Sequence, residues 1–198
     1  DLLDWTRDVY FLKPLSRDRL REIIVEPAKS KNIQVEPPQL LEDLLDFAQA
    51  GDAGLSLLGI VLAELWDARQ DNAISAQTQA AIGGVAGAIA RHADHVIGSL
   101  SRERRIVARK LLLSLVTPEK TLLRRSEDEL VSQSTEAPRV LRVLLGGRLI
   151  CLTDTPAGGL YQLAHQLLAT TWPTMQRWID EQAPVQPSRP SLPALRVP

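Results

Sequence analysis

The sequence predicts a mostly α protein that carries one small β-hairpin near its C-terminal end. Three observations predict it. Apolar residues recur three or four apart over most of the chain, which is the period of a helix with one buried face. The stretch from Val140 to Ile179 breaks that period once, at Gly146-Gly147, and again at Asp154-Thr155-Pro156-Ala157-Gly158-Gly159. Two short apolar runs, Leu149–Leu152 and Leu160–Leu163, flank this second break. They read as paired strands around a turn that carries the glycine it needs. A helix followed by such a two-stranded wing is the back half of a winged-helix unit.

Each element follows from local residues. Residues 8–12 (DVYFL) read as a short strand-like run. Ser16 is a good N-cap, and Asp18 suits the positive end of the helix that follows. Leu20, Ile23 and Ile24 form its buried stripe, and Pro27 is expected to end it. Pro37-Pro38 opens a second helix, with Leu41, Leu44, Leu45 and Ala48 on one face. Residues 53–69 form a very apolar helix in which Leu58, Leu62 and Leu65 should point inward. Residues 70–83 read as a polar connection. Ala86, Ile89, Ala93, Val96 and Leu100 share a helical face. Ser101 caps the next helix, whose stripe is Val107, Leu111 and Leu115. Thr121–Leu123 reads as extended, Glu127–Leu130 as a helical turn, and Pro138 as the start of a helix. In that helix Val140/Leu144 and Leu141/Leu145 are i,i+4 pairs, and Gly146-Gly147 should supply a left-handed residue that stops it. After the hairpin come His165–Ala169, Trp172-Pro173 and a last helix ending near Glu181. Residues 183–198 hold five of the thirteen prolines and read as a solvated linker or tail.

Composition narrows the function. The chain has 198 residues, 44% of them hydrophobic and 24% charged, with a net charge of −1. That balance is ordinary for a globular protein and gives no overall pull toward nucleic acid or acidic membrane. Cys151 is the one cysteine, so no disulfide forms within the chain, which favours a cytoplasmic, reducing setting. No apolar run reaches the ~18 residues of a spanning helix. The chain opens on Asp1, and we expect it to be a piece of something longer.

Four segments together carry a resemblance: FLKPLSRDRLREII, LLSLVTPEKTLLRRSEDEL, GGRLICL and YQLAHQLLATTWPTMQRWI. They resemble bacterial STAND-type signalling NTPases, on the NACHT and NB-ARC side of the AAA-related P-loop ATPases. GGVAGAIARHADHVIGSLS is similar to the helix that joins two parts of such proteins. The resemblance covers residues 8–182 and corresponds to the region after the ATPase core. It implies that 1–12 are the end of a preceding domain or a linker, 13–100 a helical lid and connector, 101–182 a winged helix, and 183–198 a Pro-rich tail or linker. It also implies a cytoplasmic signalling or defence protein, held closed with ADP and opening to oligomerise. The parent would bind ADP or ATP with Mg through an upstream P-loop ATPase domain and could carry a downstream repeat sensor.

The resemblance transfers to two places. Gly54-Leu55-Ser56-Leu57 stands where the family carries Gly-Leu-Pro-Leu, whose Pro packs on the nucleotide from the lid side. Leu55 and Ser56 are therefore the implied base-side contacts, with Ser56 in place of the Pro. His165 stands where the family carries a Met-His-Asp-like motif whose His reaches the β-phosphate of ADP; Ala164-His165-Gln166 lacks the acid. A His donor to phosphate is sensible chemistry near its pKa of ~6.5. The other reading is a His that caps the last helices or bonds within the wing.

Other constellations read as structural. The sequence has no Gly-x-x-x-x-Gly-Lys-Ser/Thr loop, so the fragment by itself is not expected to hydrolyse ATP. His92 and His95 could share a metal, but two ligands leave a zinc site unfinished, and a solvated face beside Arg91 and Asp94 is the simpler reading. Cys151 reads as a packed core residue in an apolar strand, and Trp66, Trp172 and Trp178 as core anchors. Residues 101–148 hold eleven bases against six acids, which raises a winged-helix DNA-binding reading. The helix from Pro138 opposes it, because only Arg139 and Arg142 could reach bases. A protein-interaction adaptor that never touches nucleotide is the third class.

Overall fold

Ser16 begins the described structure by accepting the amide of Arg19, which starts α1 (Arg17–Ser30). The computed structural model describes residues 15–50, 54–70, 72–132, 134–155 and 158–182. The expected strand at 8–12 and the tail at 183–198 lie outside them. Leu20, Ile24 and Ala28 form the buried stripe of α1 at i,i+4 spacing. Two expectations fail here. Ile23 lies about 100° round the helix from that stripe and is 48% exposed. Pro27 does not end α1, which runs one turn further. The missing N–H removes one bond, and Asn32, in the left-handed region with φ 56°, makes the stop instead.

A short parallel pair follows. β1 (Gln34–Val35) lies beside β2 (Ala73–Ile74), with Gln34 opposite Ala73. Pro38 opens α2 (Pro38–Gln49) at its first position, and α3 (Gly54–Asp67) packs back on it. Arg17 and Arg21 bind Glu42, and Arg17 also binds Asp46, so α1 and α2 are tied along their exposed edge. An apolar cavity of about 130 Å³ remains between α1, α2 and α3, lined by Ile24, Leu40, Leu44, Leu62, Leu65 and Trp66. Leu58 and Leu65 are buried as expected, whereas Leu62 is only partly so.

The polar connection expected over 70–83 contains two elements, β2 and α4 (Ala76–Ile82). Ser75 caps α4 by accepting the Thr78 amide, and Gly83 closes it with φ 73°. α5 (Gly84–Gly98) starts at once. It packs against α2, α3 and α4, with Ala88, Ile89, Ala93 and Val96 buried.

Ser101 caps α6 (Arg102–Ser114) as expected. Leu111 and Leu115 are buried, and Val107 is partly buried. The expected extended run at Thr121–Leu123 pairs through a bridge between Leu122 and Val116, and the strand proper, β3 (Arg125–Ser126), begins two residues after it. A capping box between Ser126 and Glu129 starts α7 (Glu127–Val131). α8 (Ala137–Gly146) buries Ala137, Val140, Leu141 and Leu144. β4 (Ile150–Thr155) and β5 (Gly158–Leu163) form the hairpin, with Ile150 opposite Leu163 and Thr155 opposite Gly158. β3 adds to β5, giving the antiparallel order β3-β5-β4. α9 (Gln166–Thr170) and α10 (Pro173–Gln182) complete the described residues. The fold is thus mostly α with a small antiparallel sheet.

The left-handed residue after α8 is Arg148, with φ 55°, and not a glycine. Gly147 has a different reason to be glycine. A Cβ there would lie 2.7 Å from a methyl of Val96. The backbone at the end of α8 thus rests directly on α5, and a ring nitrogen of His92 sits 2.7 Å from the Gly147 carbonyl.

Candidate functional site

β5 delivers the chain to His165. Its last residue, Leu163, and the following Ala164 are buried, and the Ala164 amide bonds the Leu149 carbonyl at 3.0 Å. His165 is still extended, with φ −154° and ψ 146°, and serves as the N-cap of α9. Its Nδ1 accepts the Leu167 amide at 3.1 Å. This fixes the neutral tautomer with the proton on Nε2, because an Nδ1 that accepts has no proton of its own. The imidazole lies 4.7 Å from the ring of Phe47 on α2, tilted by 44°.

His165 is 8% exposed, and its Nε2 is buried without a hydrogen-bond partner among the described residues. The Ala50 carbonyl, just past the end of α2, approaches the ring without completing that bond. Burial lowers the histidine pKa from its usual value, and the Ala50 carbonyl pulls it partly back. In front of the ring lies an open cleft of about 440 Å³. Phe47, Val85, Ala86 and Leu167 give it an apolar floor, and Asp43 and Asp46 stand at its edge. The first residues of α5, Gly84 to Ala86, line it as well.

Leu55 and Ser56 sit in the first turn of α3 and are both exposed. Gly54 and Leu57 on either side are buried. Gly54 is required by contact, since a Cβ there would lie 2.5 Å from the Phe47 carbonyl oxygen. Leu55 lines a second cleft of about 340 Å³ with Leu15, Leu20, Ala48 and Gln49. The two implied sites therefore meet at the end of α2 but do not share a cavity. Ala48 and Gln49 face Leu55, whereas Phe47 and Ala50 face His165.

The remaining residues divide clearly. Arg91, Asp94 and His95 are exposed, as a solvated face requires, but His92 is half-buried and both His92 and Asp94 make tertiary bonds. His92 holds the Gly147 carbonyl, and the Asp94 carboxylate accepts from the Trp172 indole at 2.7 Å and from the Thr174 hydroxyl at 2.9 Å. Among the described residues no group of three or more His, Cys, Asp and Glu could hold a metal ion. Cys151 is only half-buried, because the hairpin projects beyond the core and just Ile150 of β4 is fully covered. Trp172 is a core anchor at 1% exposure, with Trp178 edge-on at 5.6 Å. Trp66 is partly buried, and the Arg69 guanidinium lies over its ring.

Four of the eleven bases of residues 101–148 are engaged in ion pairs at the surface. Arg104 and Arg139 share Glu136, Arg109 holds Glu181, and Arg125 holds Glu129. Sequence reasoning missed Phe47 and Ala50 as partners of His165. The available signal was weak: Phe47 is one of two phenylalanines in the chain, one turn beyond Leu44 on the buried face of α2.

A family model described as Novel STAND NTPase 1 matches residues 1–192. No curated protein and no solved structure matches the chain.

Proposed function

The chain belongs to the Novel STAND NTPase 1 family, and from that premise we propose that it is the regulatory part of a signal-transducing NTPase. On this reading residues 13–100 are the helical lid and connector and 101–182 the winged helix. Together they stabilise an ADP-bound closed state and release it for oligomerisation. Hydrolysis belongs to a P-loop ATPase domain outside this chain, because the sequence has no phosphate-loop motif and no other device to position a phosphoryl group. ADP or ATP with Mg would be held there. Leu55 and Ser56 would face the base side and His165 the phosphate side.

The observation that carries this reading is His165 itself. It stands at the joint between the hairpin and α9, against the end of α2, with a buried Nε2 that lacks a partner among the described residues. A buried polar group without a partner is uncommon and costs about 1–3 kcal/mol, so it marks a place where a ligand has something to gain. The test uses the full-length parent. His165→Ala should weaken ADP binding by about tenfold to a hundredfold, taking a charge-assisted bond as ~1.5–3 kcal/mol. It should also raise the oligomeric fraction. Unchanged ADP affinity with a lower melting temperature would reject the role.

A second reading, an interaction adaptor without nucleotide, is favoured by the separation of the Leu55 and His165 clefts. Nucleic-acid binding is disfavoured by the ion pairs that absorb Arg104, Arg109, Arg125 and Arg139. No helix among the described residues is long and apolar enough to cross a membrane, which is compatible with work in the cytoplasm.

A further inference from the structure

The geometry points to a use of His165 that requires no nucleotide. We propose that His165 is an acid-released clasp: its neutral imidazole fastens the β5–α9 joint to the end of α2, and protonation unfastens it.

Three features of the ring argue for this. Nδ1 accepts the Leu167 amide, so a second proton would have to enter where a donor already points. Two donors facing each other cancel the cap and repel. The ring is also shielded from water on the α2 side, where it touches Phe47, and charging it there loses hydration. Finally, the N-terminus of the fifteen-residue α5 lines the same cleft, and the positive end of a helix disfavours a cation.

The groups that pull the other way are identifiable. Asp43 and Asp46 on α2 stand at the cleft edge, and the Ala50 carbonyl approaches the ring. Asp46 is paired with Arg17 of α1 at 2.6 Å, and Asp43 accepts from the side-chain amide of Gln39 at 2.9 Å. Gln79 of α4 and the residues of α9 add no charge. Burial outweighs the carbonyl, and the histidine pKa lies below its ordinary value.

Release would be local. Asp94 still holds Trp172 and Thr174 to α5, and His92 still holds Gly147, so the joint swings away from α2 while its far side stays tied. The cleft then opens and Nε2 becomes accessible.

Two measurements on the whole chain test the clasp between pH 7 and pH 5. The first is the ¹⁵N spectrum of the His165 ring. The second is hydrogen exchange of the Leu167 amide, corrected for its intrinsic rate, with far-UV circular dichroism as the control for global folding. The expected result is the Nε2–H tautomer at pH 7 and a loss of Leu167 protection of up to about tenfold per pH unit as pH falls from the released value of ~6.5 toward the lowered folded value, levelling off below it. In His165→Asn, which keeps an N-cap acceptor but does not titrate, protection should stay flat. A ring in the Nδ1–H tautomer, titration with Leu167 protection unchanged, or the same loss in His165→Asn would each overturn the proposal. If the variant does not fold, the wild-type ring and amide data decide alone.

Discussion

The indole N–H of Trp172 is bonded at 2.7 Å to the Asp94 carboxylate, a partner seventy-eight positions earlier in the chain. Trp172 is among the largest fully buried side chains, and Thr174 shares the same carboxylate oxygen. This bond ties α10 and the turn before it to the middle of α5. Asp94→Ala should therefore cost about 1–3 kcal/mol, because it strands a buried donor. Trp172→Phe also removes the indole, so a double-mutant cycle should show coupling of about 0.5–3 kcal/mol. Independent, additive effects on thermal unfolding would contradict the bond.

Helix α3 contains a paired test of glycine. Gly54 abuts the Phe47 and Ala48 carbonyls, whereas a Cβ at Gly59 would meet nothing within 4 Å. Gly54→Ala should destabilise by about 1–3 kcal/mol, since backbone must move. Gly59→Ala should stabilise by about 0.4–1 kcal/mol. Denaturation midpoints of the two variants should move in opposite directions.

Two leucines of that helix line the apolar cavity and differ in burial. Leu65 is 1% exposed, and Leu65→Ala should cost about 2–5 kcal/mol. Leu62 lines the same cavity but is only partly buried, so Leu62→Ala removes less buried surface and should cost less, on the order of 1–2 kcal/mol. Equal losses in urea unfolding would show that both leucines belong to one packed layer.

Acid sensitivity should appear in two windows. His165 has a lowered pKa in the fold, so its contribution is present above the unfolded value of ~6.5 and is lost as pH falls below it. Glu136 and Glu129 also have lowered values. Arg104 and Arg139 act on the first, and the Ser126 amide and hydroxyl with Arg125 on the second. Their stabilisation is present above the unfolded carboxylate value and disappears as pH falls through the folded one. Glu136→Gln should thus melt below the parent at pH 7 and match it at strongly acid pH. A gap that persists in acid would assign Glu136 a packing role instead. Salt should narrow the gap at neutral pH, because these carboxylates face solvent.

The fold was legible where a side chain both starts an element and repeats along it. Ser16 and Ser101 announce their helices through the amides they accept, and the i,i+4 stripe of Val140 and Leu144 lies on the buried face. The hairpin was legible for the same reason, as apolar runs around a turn cluster. β1 and β2 were not, because two residues carry no period and their pairing is settled by partners thirty-nine positions apart. Pro27 misled because one lost hydrogen bond does not stop a helix that packing holds on both sides. For the candidate site, the sequence marked His165 but not what surrounds it. Phe47 and Ala50 come from the end of α2, more than a hundred positions before His165, and that approach is invisible in a linear pattern.

α5 has a consequence for how force passes through the molecule. Its fifteen residues span about 22 Å. One flank packs on α2, α3 and α4, and the other holds Gly147, Trp172 and Thr174 through His92 and Asp94. Such a rod has little slack. A few degrees of roll imposed by the first group of helices must reappear as displacement of the hairpin base and of α10. Scission at residue 100 would leave the rod with one set and deprive the other of its axle, so neither piece should keep its own tertiary structure. Torque applied to either group is in this way conducted to the other through bonds that are already made.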